Sequence, residues 1–149
     1  MSVPVQQALA QLAATRNSVA PLVTQNFSYT MIFAGIASGT QGASAQLLID
    51  SATDFLIVSQ SFSANDDTTT LDVVADPTVN FNDSSSSSNL FNVATPALNV
   101  FGNGQLPLLL PMPRLFGANA TITGTLNANI TAAATTYRFT FNGIKIWKQ

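Results

Sequence analysis

The ending Tyr137-Arg138-Phe139-Thr140-Phe141-Asn142-Gly143-Ile144-Lys145-Ile146-Trp147 decides the fold class. Tyr137, Phe139 and Phe141 alternate with Arg138, Thr140 and Asn142, the period-two pattern of a strand with one apolar face. At Asn142-Gly143 the phase changes, because Ile144 and Ile146 carry the apolar set onto even numbers. A two-residue hairpin would fold the chain back and set Phe141 opposite Ile144. A glycine bulge would instead keep one long strand running with its face restored. Only six residues follow Gly143, short for a return arm, which favours the bulge. Trp147 is then expected to pack at the end of the domain.

The same alternation continues through the rest of the chain. Phe27, Tyr29, Met31 and Phe33 alternate with Ser28 and Thr30, and the strand ends near Gly35. Leu47 to Ile49 and Phe55 to Phe62 follow, the second apolar on both faces in its first half and therefore central. Shorter candidates lie at Leu71 to Ala75, Val79 to Phe81, Leu90 to Val93 and Ala97 to Phe101. Ile122, Leu126 and Ile130 share a face with Gly124 and Ala128. Roughly nine short strands without βα alternation or a fixed repeat predict an all-β fold, a single antiparallel β-sandwich. A jelly roll is the preferred topology, since an immunoglobulin domain would want a mid-domain Trp and paired Cys. Asp83 and the run Ser84 to Ser88 form a polar loop inside the domain, not a boundary.

The first segment follows another period. Val5, Ala8, Leu9, Leu12 and Ala13 recur at helical spacing with Gln7, Gln11 and Thr15 on the other side, which predicts one short amphipathic helix. Pro4 suits its first turn, while Asn17 and Pro21 mark its stop. The chain thus divides into an N-terminal arm with a short helix over 1–26 and a sandwich domain over 27–149. About three turns of helix are marginal alone and must dock, either on their own domain or, through Val5, Leu9 and Leu12, on a partner.

Composition narrows the function. Leu, Ile, Val and Phe number 43 of 149 residues, enough for a core, while charged residues make up 8%. The chain has no Cys, His or Glu, which removes disulfides, thiolate metal sites, thiol nucleophiles and most acid–base chemistry. Gly35-Ile36-Ala37-Ser38-Gly39 is not a nucleophile elbow, no P-loop occurs, and Gly102-Asn103-Gly104 runs into Pro107 where a dinucleotide fingerprint wants Gly. No enzyme, cofactor or small-molecule substrate is expected. Asp66, Asp67, Asp72 and Asp76 match no calcium-loop spacing and read as solvated turn residues, so no metal is expected either.

All seven acids lie between Asp50 and Asp83, and the five basic residues lie outside that window. The basic residues form no run, which speaks against nucleic acid. The asymmetry fits a solvated acidic face or a complementary contact. The opening Met1 to Gln7 lacks a basic n-region, and no window approaches the ~18 apolar residues a membrane span needs. The longest apolar stretch, Leu106 to Phe116, contains Pro107, Pro111 and Pro113. Such a run is expected to be extended and buried by side-chain contact instead of pairing. It plugs its own sandwich or joins another copy. Its size favours an oligomer interface made by Leu106, Leu108, Leu109, Leu110, Met112, Leu115 and Phe116.

Several of these stretches together resemble a known class. Phe27 to Phe33, Ile49-Asp50 with Asp54-Phe55, Phe101-Gly102-Asn103-Gly104, Leu110-Pro111-Met112-Pro113-Arg114-Leu115-Phe116 and Tyr137 to Ile146 are similar to small structural proteins of tailed-bacteriophage virions. The class they most resemble is the auxiliary capsid, or cement and decoration, proteins. The resemblance implies a β-rich, often jelly-roll module on the capsid surface of the virion, commonly a homotrimer, that clamps the major capsid protein and stabilises the head. No catalytic residue comes with it. Neck, tail and fibre proteins share the signature, and a receptor- or carbohydrate-binding jelly roll is a further alternative.

Overall fold

The computed structural model describes residues 3–15, 22–69, 76–129 and 133–147. Helix α1 (Val3–Thr15) precedes β1 (Thr24–Ile36), β2 (Ala43–Leu48), β3 (Thr53–Asp66) and β4 (Thr78–Asp83). The two-residue strands β5 (Ser88–Asn89) and β6 (Thr95–Pro96) lead into a single turn, α2 (Ala97–Val100). Strands β7 (Leu108–Phe116), β8 (Thr121–Asn127) and β9 (Thr135–Trp147) complete the chain. One sheet has the order β1-β9-β3-β7 and the other β2-β8-β4-β5, with β6 also on β4. The ladders between these strands are antiparallel. The chain changes sheet at almost every connection and its first and last strands are neighbours, which is the winding of a jelly roll.

The alternation placed most of these strands. Strand β1 begins three residues before the expected start at Phe27, and β9 runs unbroken through Asn142-Gly143. Two short candidates are corrected. Leu90 to Val93 is a bend after β5, and Ala97 to Val100 is a helical turn closed by the Phe101 amide donating to the Ala97 carbonyl at 2.8 Å. Over four or five residues a buried turn and a buried strand present the same apolar positions. The candidate at Leu71 to Ala75, the helix stop at Asn17 and Pro21, and Ile130 lie outside the described residues.

Aromatic rings join the two sheets. Phe81 of β4 meets Phe139 and Phe141 of β9 at 5.4 and 5.6 Å between ring centroids, and Phe101 lies 5.1 Å from Phe139. Edge-to-face rings at these distances add to the area they bury. Gly124 of β8 makes room for this cluster, because a Cβ there would lie 2.5 Å from the Met31 sulfur and 2.9 Å from both the Phe33 and the Phe81 ring.

The phase change at Asn142-Gly143 has a different cause from the expected bulge in β9. Pairing of β9 with β1 is continuous from Thr24↔Ile146 to Phe33↔Tyr137, so β9 carries no extra residue there. The bulge sits on β3: Ile57 faces Gly143 and Ser59 faces Asn142, leaving Val58 unmatched. Gly143 is needed because a Cβ would stand 2.1 Å from the Leu56 carbonyl oxygen. Ile144 and Ile146 therefore stay on the outer face of the sheet, where they pack with Leu56 and Val5 of α1. Two apolar faces, one inner and one outer, were compressed into one strand of sequence.

Overpacking a filled core typically costs about 1–3 kcal/mol. Gly124→Val is expected to lower unfolding free energy by that amount, read by chemical denaturation, and Gly143→Val to do so through the β3 backbone.

Candidate interaction surface

The structure brings the two sequence-predicted contact segments together. Helix α1 lies on the outer face of the β1-β9-β3-β7 sheet, with Val5 only 2% exposed among Leu56, Ile144 and Ile146. Ala8, Leu9 and Leu12 flank that cluster half-buried. In the isolated chain, then, the residues expected to reach a partner cover their own sheet. A hollow of about 270 Å³ separates Ala8 and Leu12 of α1 from Pro113 and Leu115 of β7, so helix and edge strand form one continuous surface.

Strand β7 corrects the expectation that the proline-rich run cannot pair. Leu108 and Leu109 pair with Gln60 and Ser59, and Arg114 to Phe116 pair with Ile57 to Phe55. Between these two short ladders, Leu110 to Pro113 stand opposite Val58 alone. Pro111 and Pro113 thus fall where the ladder asks for no donor, on an edge strand that tolerates them. Gly102 sits beside this region: its carbonyl accepts the Phe62 amide at 2.7 Å, and a Cβ would strike the Leu106 carbonyl oxygen at 2.0 Å.

The seven expected interface residues separate. Phe116 is fully buried in its own core, and Leu110 packs partly against it. Leu106, Leu109 and Met112 are 77%, 70% and 82% exposed, while Leu108 and Leu115 are exposed to a lesser degree. Strand parity and the bulge decide this division. Beside the exposed rim, a groove of about 810 Å³ crosses the sheet, lined by Val5, Asn26, Ser28, Ser59, Leu109 and Asn142 among others. Its polar lining is uncharged: the Ser28 hydroxyl donates to the Asn142 side-chain oxygen Oδ1 at 2.7 Å, and next to the groove Thr30 and Thr140 share a hydrogen bond at 3.0 Å.

A charged cluster missed by the sequence reading closes the inner side of the same sheet end. Lys145 Nζ lies 3.3 Å from Asp50 Oδ2 and 3.9 Å above the centre of the Phe27 ring. The Asp50 amide donates to the Tyr29 hydroxyl at 3.2 Å. The Ala52 amide, and after it Lys145, hold the Asp50 carboxyl below its ordinary pKa. Burial works against the Lys145 charge, but Tyr29 and Asp50 outweigh it and raise that pKa. A general base or amine nucleophile needs the opposite shift. The available signal was parity: Phe27, Tyr29 and Lys145 share the inner face once β1 and β9 pair.

The remaining aspartates organise turns. Asp66 accepts the amides of Thr68 and Thr69 as well as the Thr68 hydroxyl, Asp67 accepts the Thr136 hydroxyl at 2.6 Å, and Asp76 accepts the Leu98 amide at 3.1 Å. Asp83 is buried and accepts from Ser85 and Ser86, which fastens the serine loop, while Arg114 ties Ser88 to β7. Among the described residues no group of three or more acids could hold a metal ion, and Asp72 lies outside them. No helix among those residues is long and apolar enough to cross a membrane.

Against known proteins, no family model, curated protein or solved structure matches the chain.

The ion pair sets a pH dependence. A carboxyl with a lowered folded-state pKa contributes stability that is present above its unfolded value, 3.8, and is lost as pH falls through the folded value. Acid titration of the thermal midpoint below about pH 4 should therefore be shallower in Asp50→Asn than in the unsubstituted protein. The Lys145 share, with a raised pKa, should persist up to its unfolded value of 10.5 and fall away above it.

Proposed function

We propose that this protein is a non-catalytic structural component of a bacteriophage virion, which binds the assembled capsid surface as an oligomer and stabilises the head. One observation carries the reading: Leu109 and Met112 of an edge strand, with Leu106 just ahead of it, stand exposed, and the bulge and prolines of that strand close it to further strand pairing. Such a strand offers side chains and not a backbone ladder. It suits docking into apolar recesses that a partner presents only when assembled. The virion itself enters through the resemblance of Leu110 to Phe116 and the strands around it to cement proteins, and the jelly roll is compatible with that role as with others.

Affinity in such a protein comes from several modest contacts engaged together. An oligomer presenting one rim per subunit reaches neighbouring capsid subunits at once, while isolated subunits offer a single weak contact. The charged fraction is 8%, so binding depends little on salt.

Purified particles provide the test. The protein is expected in stoichiometric amount on heads and absent from separated tails; recovery with tails alone would replace this reading with a neck, tail or fibre role. Burying each leucine or methionine fully is worth roughly 1.5–3 kcal/mol, about 10- to 100-fold in affinity. Leu109→Asp with Met112→Asp should abolish head binding while circular dichroism of the free protein stays unchanged.

A further inference from the structure

The four edges of the two sheets are not equally protected. Strands β5 and β6 are two residues each, β2 is six, and β7 is interrupted by its bulge and prolines. These are recognised ways of blunting an edge. Strand β1 has a register shift only at its far end, between Phe33 and Ile36; its first ten residues, Thr24 to Phe33, run without a proline or a charge and in unbroken register with β9.

Its hydrogen-bonding parity is set at one end. The Trp147 amide donates to the Val23 carbonyl at 3.1 Å, so odd-numbered residues of β1 bond to β9. In an antiparallel ladder the alternate residues then turn their N–H and C=O groups away. Thr24, Asn26, Ser28, Thr30 and Ile32 present these groups on the open side, and all five side chains are exposed. Among the described residues helix α1 comes nearest, packing on Ile144 and Ile146 beside Asn26 and Thr24, and it leaves all five exposed.

We propose that the open edge of β1 is a strand-addition site, and that its occupant is β1 of a second copy, antiparallel about a two-fold axis at Ser28. The argument for a second copy is complementarity. A two-fold at the midpoint of the five residues sets Ser28 against Ser28, Asn26 against Thr30 and Thr24 against Ile32. Every outward N–H then meets a C=O, giving about ten backbone hydrogen bonds. Neutral side chains place no like charges opposite one another. An isologous contact uses one patch twice, as a two-fold requires. The site lies at the opposite sheet edge from the β7 rim. The inference therefore stands or falls independently of the capsid reading.

The test uses the full chain carrying Leu109→Asp, which silences the β7 rim. Sedimentation should give twice the chain mass of 15.7 kDa. Adding Ser28→Pro removes one outward N–H and no ladder bond to β9, so the mass should fall to that of one chain with the strand spectrum retained. Hydrogen exchange on the unsubstituted protein provides a second readout should Ser28→Pro fail to fold. The amides of Asn26, Ser28, Thr30 and Ile32 should be protected at high concentration and lose that protection on dilution. A dimer that survives Ser28→Pro, or exchange at these amides that is fast at every concentration, overturns the proposal. Protection that arises only when phage heads are added overturns it too, in favour of a strand donated by another protein.

Discussion

Strand β9 is buried on both faces, and much of the molecule is arranged to make that possible. Its inner face holds Tyr137, Phe139 and Phe141 against rings from the facing sheet, while Ile144 and Ile146 look outward under α1. A strand flanked by β1 and β3 has no other way to keep both sets dry. Two consequences follow in the backbone. Strand β3 takes an extra residue at Val58, which moves its inward set from Phe55 and Ile57 to Phe62 and Ala64. Gly143 gives up its side chain so that the Leu56 carbonyl can come close.

Helix α1 belongs to the same solution. At about three turns it gains little from its own hydrogen bonds, and it is held by the apolar ground that Leu56, Ile144 and Ile146 supply. Covering one end of the sheet leaves the rest of that face polar, with Ser28, Thr30, Thr140 and Asn142 followed by Arg138, which donates to Asn65. The bulge at Val58 also faces β7, where four residues stand against it. Thus one irregularity in a central strand lets Pro111 and Pro113 remain at the edge and turns Leu109 and Met112 to solvent.

Legibility followed the length of each pattern. The alternations in Phe27 to Phe33 and Tyr137 to Phe141, and the helical spacing of Val5, Ala8, Leu9 and Leu12, are long enough to separate period two from period 3.6, and each became the element expected. Ala97 to Phe101 is too short for that separation, and a turn took its place. The apolar run Leu106 to Phe116 was legible as unusual but not as a pattern of exposure. Phe116 went to the core and Met112 to the surface because the bulge resets parity between them.

By itself the sequence determined that this chain is a β-sandwich with one helix and without the groups that most catalysis requires, because side-chain period and residue inventory are properties of the chain alone. Which of its apolar residues face inward, outward or solvent was decided only in the tertiary structure. A strand shows its period to the reader but not its neighbours. Here the neighbours place the bulge in β3 instead of β9, bring Lys145 to Asp50 and Phe27, and leave β1 with an open side. Those are relations between segments that lie far apart in the chain, in the case of Lys145 and Phe27 more than a hundred residues, and no local pattern encodes them.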